Sequence, residues 1–85
     1  NGDITLDAGG NNVLPGSDNA DDLGAADTRW RNVYTTDMHF SNVGTDGNDV
    51  DGTTGNWTLQ EGDDNIYMIN NITGKKYKIG LIEVE

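Results

Sequence analysis

Eighty-five residues allow one domain, and a lone chain of that size buries only about 60 to 65% of the surface its unfolded form exposes. Leu, Ile, Val and Phe supply 17 residues, the formal net charge is −10 and cysteine is absent, which excludes a disulfide framework or a cysteine zinc staple and sets the composition at the edge of disorder. The five basic residues, Arg29, Arg31, Lys75, Lys76 and Lys78, are too few to neutralise a nucleic-acid backbone, and no apolar run approaches the roughly 20 residues that insert across a bilayer. Small scaffolds without staples need a partner subunit. The expectation is therefore obligate self-association, with apolar side chains pooled among copies.

Residues 1–26 are rich in Gly, Asn and Asp, with Ile4, Leu6, Val13, Leu14 and Leu23 as the sizeable apolar residues. Ile4 and Leu6 alternate with Asp3, Thr5 and Asp7, the period of a half-buried strand. Gly9-Gly10-Asn11-Asn12 and Pro15-Gly16 read as turns, because these residues supply restricted or positive φ. Such a composition suits a fibre shaft or a flexible linker.

Residues 27–49 form the second part. Asp27 or Thr28 is suited to cap one short helical or 3₁₀ turn that sets Trp30, Val33 and Tyr34 on one side, at spacings of three and four. Beyond Tyr34 the period becomes two, so Tyr34, Thr36, Met38 and Phe40 share one strand face and Thr35, Asp37, His39 and Ser41 the other. An open stripe of Trp30, Tyr34, Met38 and Phe40 is a large apolar patch; with Val33 and Trp57 it is the expected core between copies.

Residues 50–85 read as a three-stranded antiparallel meander, with strands at about 56–60, 65–70 and 75–84. Glu61-Gly62-Asp63-Asp64 and Asn71-Ile72-Thr73-Gly74 are the hairpin loops. Trp57 and Leu59 share a face. Both faces of the second strand are apolar, implying cover on both sides, whereas Tyr77, Ile79 and Leu81 alternate with Lys76, Lys78 and Gly80, one face buried and one wet. Helix-forming signals are poor throughout, and the class is all-β.

Candidate chemistry is sparse. Asp46, Asn48, Asp49 and Asp51 lie among glycines and are weak candidates for calcium, which takes six to eight oxygens, though the spacing misses the EF-hand template and an acidic solvated turn explains it as well. Asp63-Asp64 and Asp18, Asp21 and Asp22 are weaker instances. His39 is the only histidine, so a His-based triad rests on it alone and no cysteine nucleophile exists. Paired carboxylates for glycoside hydrolysis need a cleft, for which a short meander leaves little room. No enzyme, metal or cofactor is expected.

Two stretches carry a family resemblance. Leu23 to Asn42, LGAADTRWRNVYTTDMHFSN, holds Leu23, Gly24, Arg29, Trp30, Val33, Tyr34, Thr35 and Thr36 in an order that resembles a unit of bacteriophage tail fibre proteins. Val50 to Glu85 is similar to the closing segment of fibres from phages of aquatic bacteria. The Ser-Asp-Glu-Arg/Lys stretch of self-cleaving fibre chaperones is absent, so autoproteolysis is not implied. The chain reads as the distal part of a longer polypeptide or as a processed product. The resemblance implies an intertwined homotrimer in the virion tail fibre, joined to other tail proteins and meeting a host-surface glycan or outer-membrane protein. Asp63, Asp64, Asn65, Asn71, Thr73 and Lys75, on hairpin tips, are then the receptor-facing candidates. The competing expectation is a calcium-dependent extracellular or surface-layer binding domain, for which the 46–51 loop and the acidity speak.

Overall fold

A computed structural model describes residues 9–10 and 12–85; the strand expected around Ile4 and Leu6, and Asn11 of the first turn, lie outside them. The chain divides into two units, Asn1–Val33 and Tyr34–Glu85. The division falls within the 27–49 segment, so Trp30 and Val33 belong to one unit and Tyr34, Met38 and Phe40 to the other.

The second unit is one four-stranded antiparallel sheet, β1 (Met38–Ser41), β2 (Asn56–Glu61), β3 (Ile66–Asn70) and β4 (Lys76–Lys78), in spatial order β1-β2-β3-β4. No helix occurs among the described residues. The last three strands are the expected meander. β1 joins the same sheet, because the register sets Met38 opposite Leu59 and Phe40 opposite Trp57.

That register sorts the side chains cleanly. Directly opposed residues share a face, so Met38, Leu59, Met68 and Tyr77 form one row across all four strands. Phe40, Trp57 and Asn70 lie beside it on one flank and Glu61 and Ile66 on the other. Ile79 joins the Ile66 row, since its N–H donates to the Ile66 carbonyl over 2.9 Å. Trp57 also reaches Tyr77, with ring centroids 5.6 Å apart and tilted by 46°. The reverse face carries His39, Ser41, Asn56, Thr58, Gln60, Tyr67, Ile69, Lys76 and Lys78. One side of the sheet is thus mostly apolar, with Glu61 and Asn70 at its flanks, and the other mostly polar.

The turns follow their residues. Gly62 N–H donates to the Asn65 carbonyl over 2.8 Å and closes the β2–β3 turn. At the other end Asn70 Oδ1 accepts from the Ile72 and Thr73 N–H groups, and Gly74, at φ +79°, lets the chain enter β4.

Several expectations need correction. The helical turn after Asp27 does not form; Ala25 and Thr28 instead exchange both backbone hydrogen bonds, at 3.0 and 3.1 Å, around a tight β-turn. Trp30 then lies against Gly24, where an added Cβ would meet its Cδ1 at 3.3 Å. The strand foreseen from Tyr34 begins only at Met38, and the one foreseen to Val84 ends at Lys78. The cover expected over both faces of β3, and over the Tyr77 face of β4, is not supplied by the described residues: Tyr67 and Tyr77 are exposed and Met68 only half-buried.

Candidate functional site

The dominant feature of the molecule is its uncovered apolar face. No hydrophobic side chain among the described residues is buried, and Thr58, 4% exposed, is the sole buried residue. Of the residues foreseen between copies, Met38 and Phe40 project from the apolar face with Trp57 half-buried beside them. Tyr34 is 90% exposed, and Trp30 and Val33 are exposed in the first unit. Leu59, Ile66, Met68, Tyr77 and Ile79 complete the apolar face; the period-2 pattern was the signal for them, and only the register shows that they adjoin β1.

The polar face is organised around Thr58. Its Oγ1 accepts from Asn71 Nδ2 at 2.9 Å and lies 2.9 Å from His39 Nδ1, to which it can donate when the imidazole is neutral. Asn71 also donates to Asn56 Oδ1 at 2.9 Å, and Gln60 donates to Asp37 Oδ2 at 3.2 Å. His39 therefore takes its place in a structural chain of hydrogen bonds across three elements. Thr58→Val removes the hub and leaves the His39 and Asn71 groups short of partners, at an expected cost of roughly 1–3 kcal/mol. Urea unfolding checks this; a midpoint equal to the parent's would show that the network contributes nothing.

Fourteen residues, 42–55, connect β1 to β2, and two asparagines hold them. Asn42 Oδ1 accepts from Gly55 N–H at 2.7 Å. Asn48 Oδ1 accepts from the Val50 and Asp51 N–H groups at 2.7 and 2.9 Å, while its Nδ2 donates to Asp51 Oδ1 and to the Thr53 carbonyl. The Thr53 N–H and hydroxyl donate to the same Asp51 oxygen, at 3.1 and 2.8 Å. Asn42 was missed in the sequence, and Asn48 was read for its acidity-rich setting; side-chain capping by Asn within Gly-rich turns was the available signal. Of the weak calcium candidates, Asn48 and Asp51 thus spend these oxygens on one another's surroundings, and among the described residues no group of three or more His, Cys, Asp or Glu side chains is gathered to hold a metal.

The Asp51 carboxyl is held below its ordinary value of 3.8, first by the Asn48 amide and then by the Thr53 N–H and hydroxyl. A lowered folded value means that its contribution is complete above 3.8 and is lost as the pH falls through the lower value. The Thr53 amide resonance should accordingly titrate only below 3.8. A titration at or above that pH would contradict the loop geometry.

The hairpin-tip residues do not form one cluster. Asp63, Asp64 and Asn65 lie between β2 and β3, whereas Asn71, Thr73 and Lys75 lie between β3 and β4. A meander alternates its turns, so β3 separates the two sets by about 15 Å. Asn71 is moreover committed to Asn56 and Thr58, and Thr73 Oγ1 accepts from Lys75 N–H at 3.2 Å. Beside the 42–55 loop lies an open recess of about 540 Å³ floored by Trp57 and Phe40, and no carboxylate lines it.

What fold and faces define is a small all-β sheet module, polar on one side and uncovered on the other. No protein-family model matches the chain, no curated protein matches its sequence and no solved structure matches it.

Proposed function

We propose that this chain is a structural and adhesive segment of a bacteriophage tail fibre, without catalytic activity, in which three copies associate through the apolar faces of their sheets. The observation that carries the reading is the exposure of Met38, Phe40 and Tyr77 on one face of the sheet, together with the absence of any buried apolar side chain among the described residues. The residue order from Leu23 to Thr36, with Trp30 set against Gly24, supports the fibre assignment by resemblance. In such an assembly the apolar row from Met38 to Tyr77 turns inward and the face centred on Thr58 turns to solvent.

Host contact then belongs to a hairpin end of the sheet, either the Asp63-Asp64-Asn65 turn or the Asn71–Lys75 turn. The partner surface is a glycan or an outer-membrane protein, and other tail proteins hold the fibre in the virion. Native mass spectrometry tests the copy number: three chains per particle support the reading, and a monomer or dimer overturns it. Heating with and without a chelator separates it from the calcium-dependent binding domain. An unchanged melt favours the fibre segment, and loss of fold on chelation favours the calcium domain.

A further inference from the structure

The stretch from Leu81 to Glu85 alternates Leu81, Glu83 and Glu85 with Ile82 and Val84, a strand-forming pattern. Among the described residues it nevertheless takes part in no hydrogen bond; the ladder stops where Ile79 N–H meets the Ile66 carbonyl. Leu81, Ile82 and Val84 are 64%, 92% and 92% exposed. Beside them β4 is a sheet edge. Because Lys75, Tyr77 and Ile79 direct their backbone groups to β3, alternation turns those of Lys76, Lys78 and Gly80 outward, free to receive another strand.

The geometry points to one occupant for that edge: the Leu81–Glu85 segment of a second copy, paired antiparallel. With Glu83 opposite Lys78 and Glu85 opposite Lys76, every other position also matches. Ile82 meets Ile79 and Val84 meets Tyr77 on the apolar face, and Leu81 faces Gly80, which offers no side chain to clash. A slip by one residue would set the glutamates on the apolar face. Two β4 edges cannot pair as well, since their lysines would oppose one another. A chain's own segment does not fold back, because the two-residue turn that would return it needs positive φ at Gly80, and Gly80 is not among the positive-φ glycines. This inference rests on the self-association reading and deepens it. In the proposed trimer each segment passes to the next copy, head to tail.

Refolding an equimolar mixture of light and ¹⁵N-labelled chains, followed by carbodiimide cross-linking and digestion, tests the pairing. Peptides joining Lys76 or Lys78 of one isotope to Glu83 or Glu85 of the other are expected; same-isotope peptides alone would overturn the inference. A charge-reversed E83K/E85K chain should lose assembly, and the fully swapped K76E/K78E/E83K/E85K chain should recover it. A swapped chain no better than E83K/E85K would overturn the inference equally. A chain lacking residues 81–85 that still assembles and melts like the parent removes this pairing and leaves the self-association reading standing, whereas a full-length chain that runs as a monomer removes both.

Discussion

Leu59→Asp is expected to abolish assembly and, with it, the folded state. Leu59 stands at the middle of the row formed with Met38, Met68 and Tyr77. Inside an assembly that row is sealed from water, and a carboxylate placed there without a cation costs roughly 3–5 kcal/mol. In a lone chain Leu59 is only half-buried, so an aspartate would keep much of its hydration and cost about 1 kcal/mol. The two outcomes are far enough apart for a urea titration to separate them. Tyr67→Asp is the matched control, because Tyr67 lies on the reverse face opposite Gln60 and Lys78, where a carboxylate gains a cationic neighbour. Equal, small effects from both substitutions would show that the apolar face stays open to water.

Gly47→Ala carries the second large effect and reports on the 42–55 loop rather than on assembly. Gly47 sits at φ +100°, where an L side chain is strained by about 1–3 kcal/mol. A Cβ there would also overlap the carbonyl of Gly52, a backbone group held by the Gly52 N–H bond to Asn48 and by its neighbours in the Asn48–Asp51–Thr53 cluster. Overpacking of that kind adds about 1–3 kcal/mol, so a loss of roughly 3 kcal/mol or more is expected. Gly44→Ala separates strain from overlap, since Gly44 has φ +91° with open space beyond it and should lose only the strain. A Gly47→Ala chain with the parent's unfolding midpoint and parent-like resistance of the loop to proteolysis would contradict the described loop.

The meander was legible because its signals are local. Trp57 and Leu59 alternate with polar neighbours, and the Gly-, Asn- and Asp-rich turns at 62–65 and 71–75 mark where the chain reverses. The pairing of β1 with β2 was not legible, since fourteen residues separate them and nothing local specifies which strands meet across such a loop. Strand lengths were over-read for a related reason: a partner sets how far a ladder runs. The β1–β2 register would bring Thr36 to Glu61, the last residue of β2, and β3 begins at Ile66, so bonding in β4 ends with Ile79.

The spacing of Trp30, Val33 and Tyr34 matched a helix because three residues are too few to distinguish one turn of helix from an irregular chain. The tight turn at 25–28 and Gly24 at φ +87° decided otherwise. The apolar stripe was visible as composition, but its extension over Leu59, Met68 and Tyr77 is a property of register. The polar network around Thr58 was invisible for the same reason, because His39, Thr58 and Asn71 come together only when three elements align.

In the proposed fibre segment the apolar surface of each chain is completed by other copies. Folding linked to association makes stability depend on protomer concentration, whereas a self-sufficient domain melts at one temperature however dilute it is. The decisive measurement is therefore thermal unfolding, followed through Trp30 and Trp57 fluorescence, across a hundredfold range of chain concentration spanning about 1 μM. Self-association requires a melting temperature that falls on dilution until no cooperative transition remains. A sharp transition at the same temperature throughout the range would contradict it.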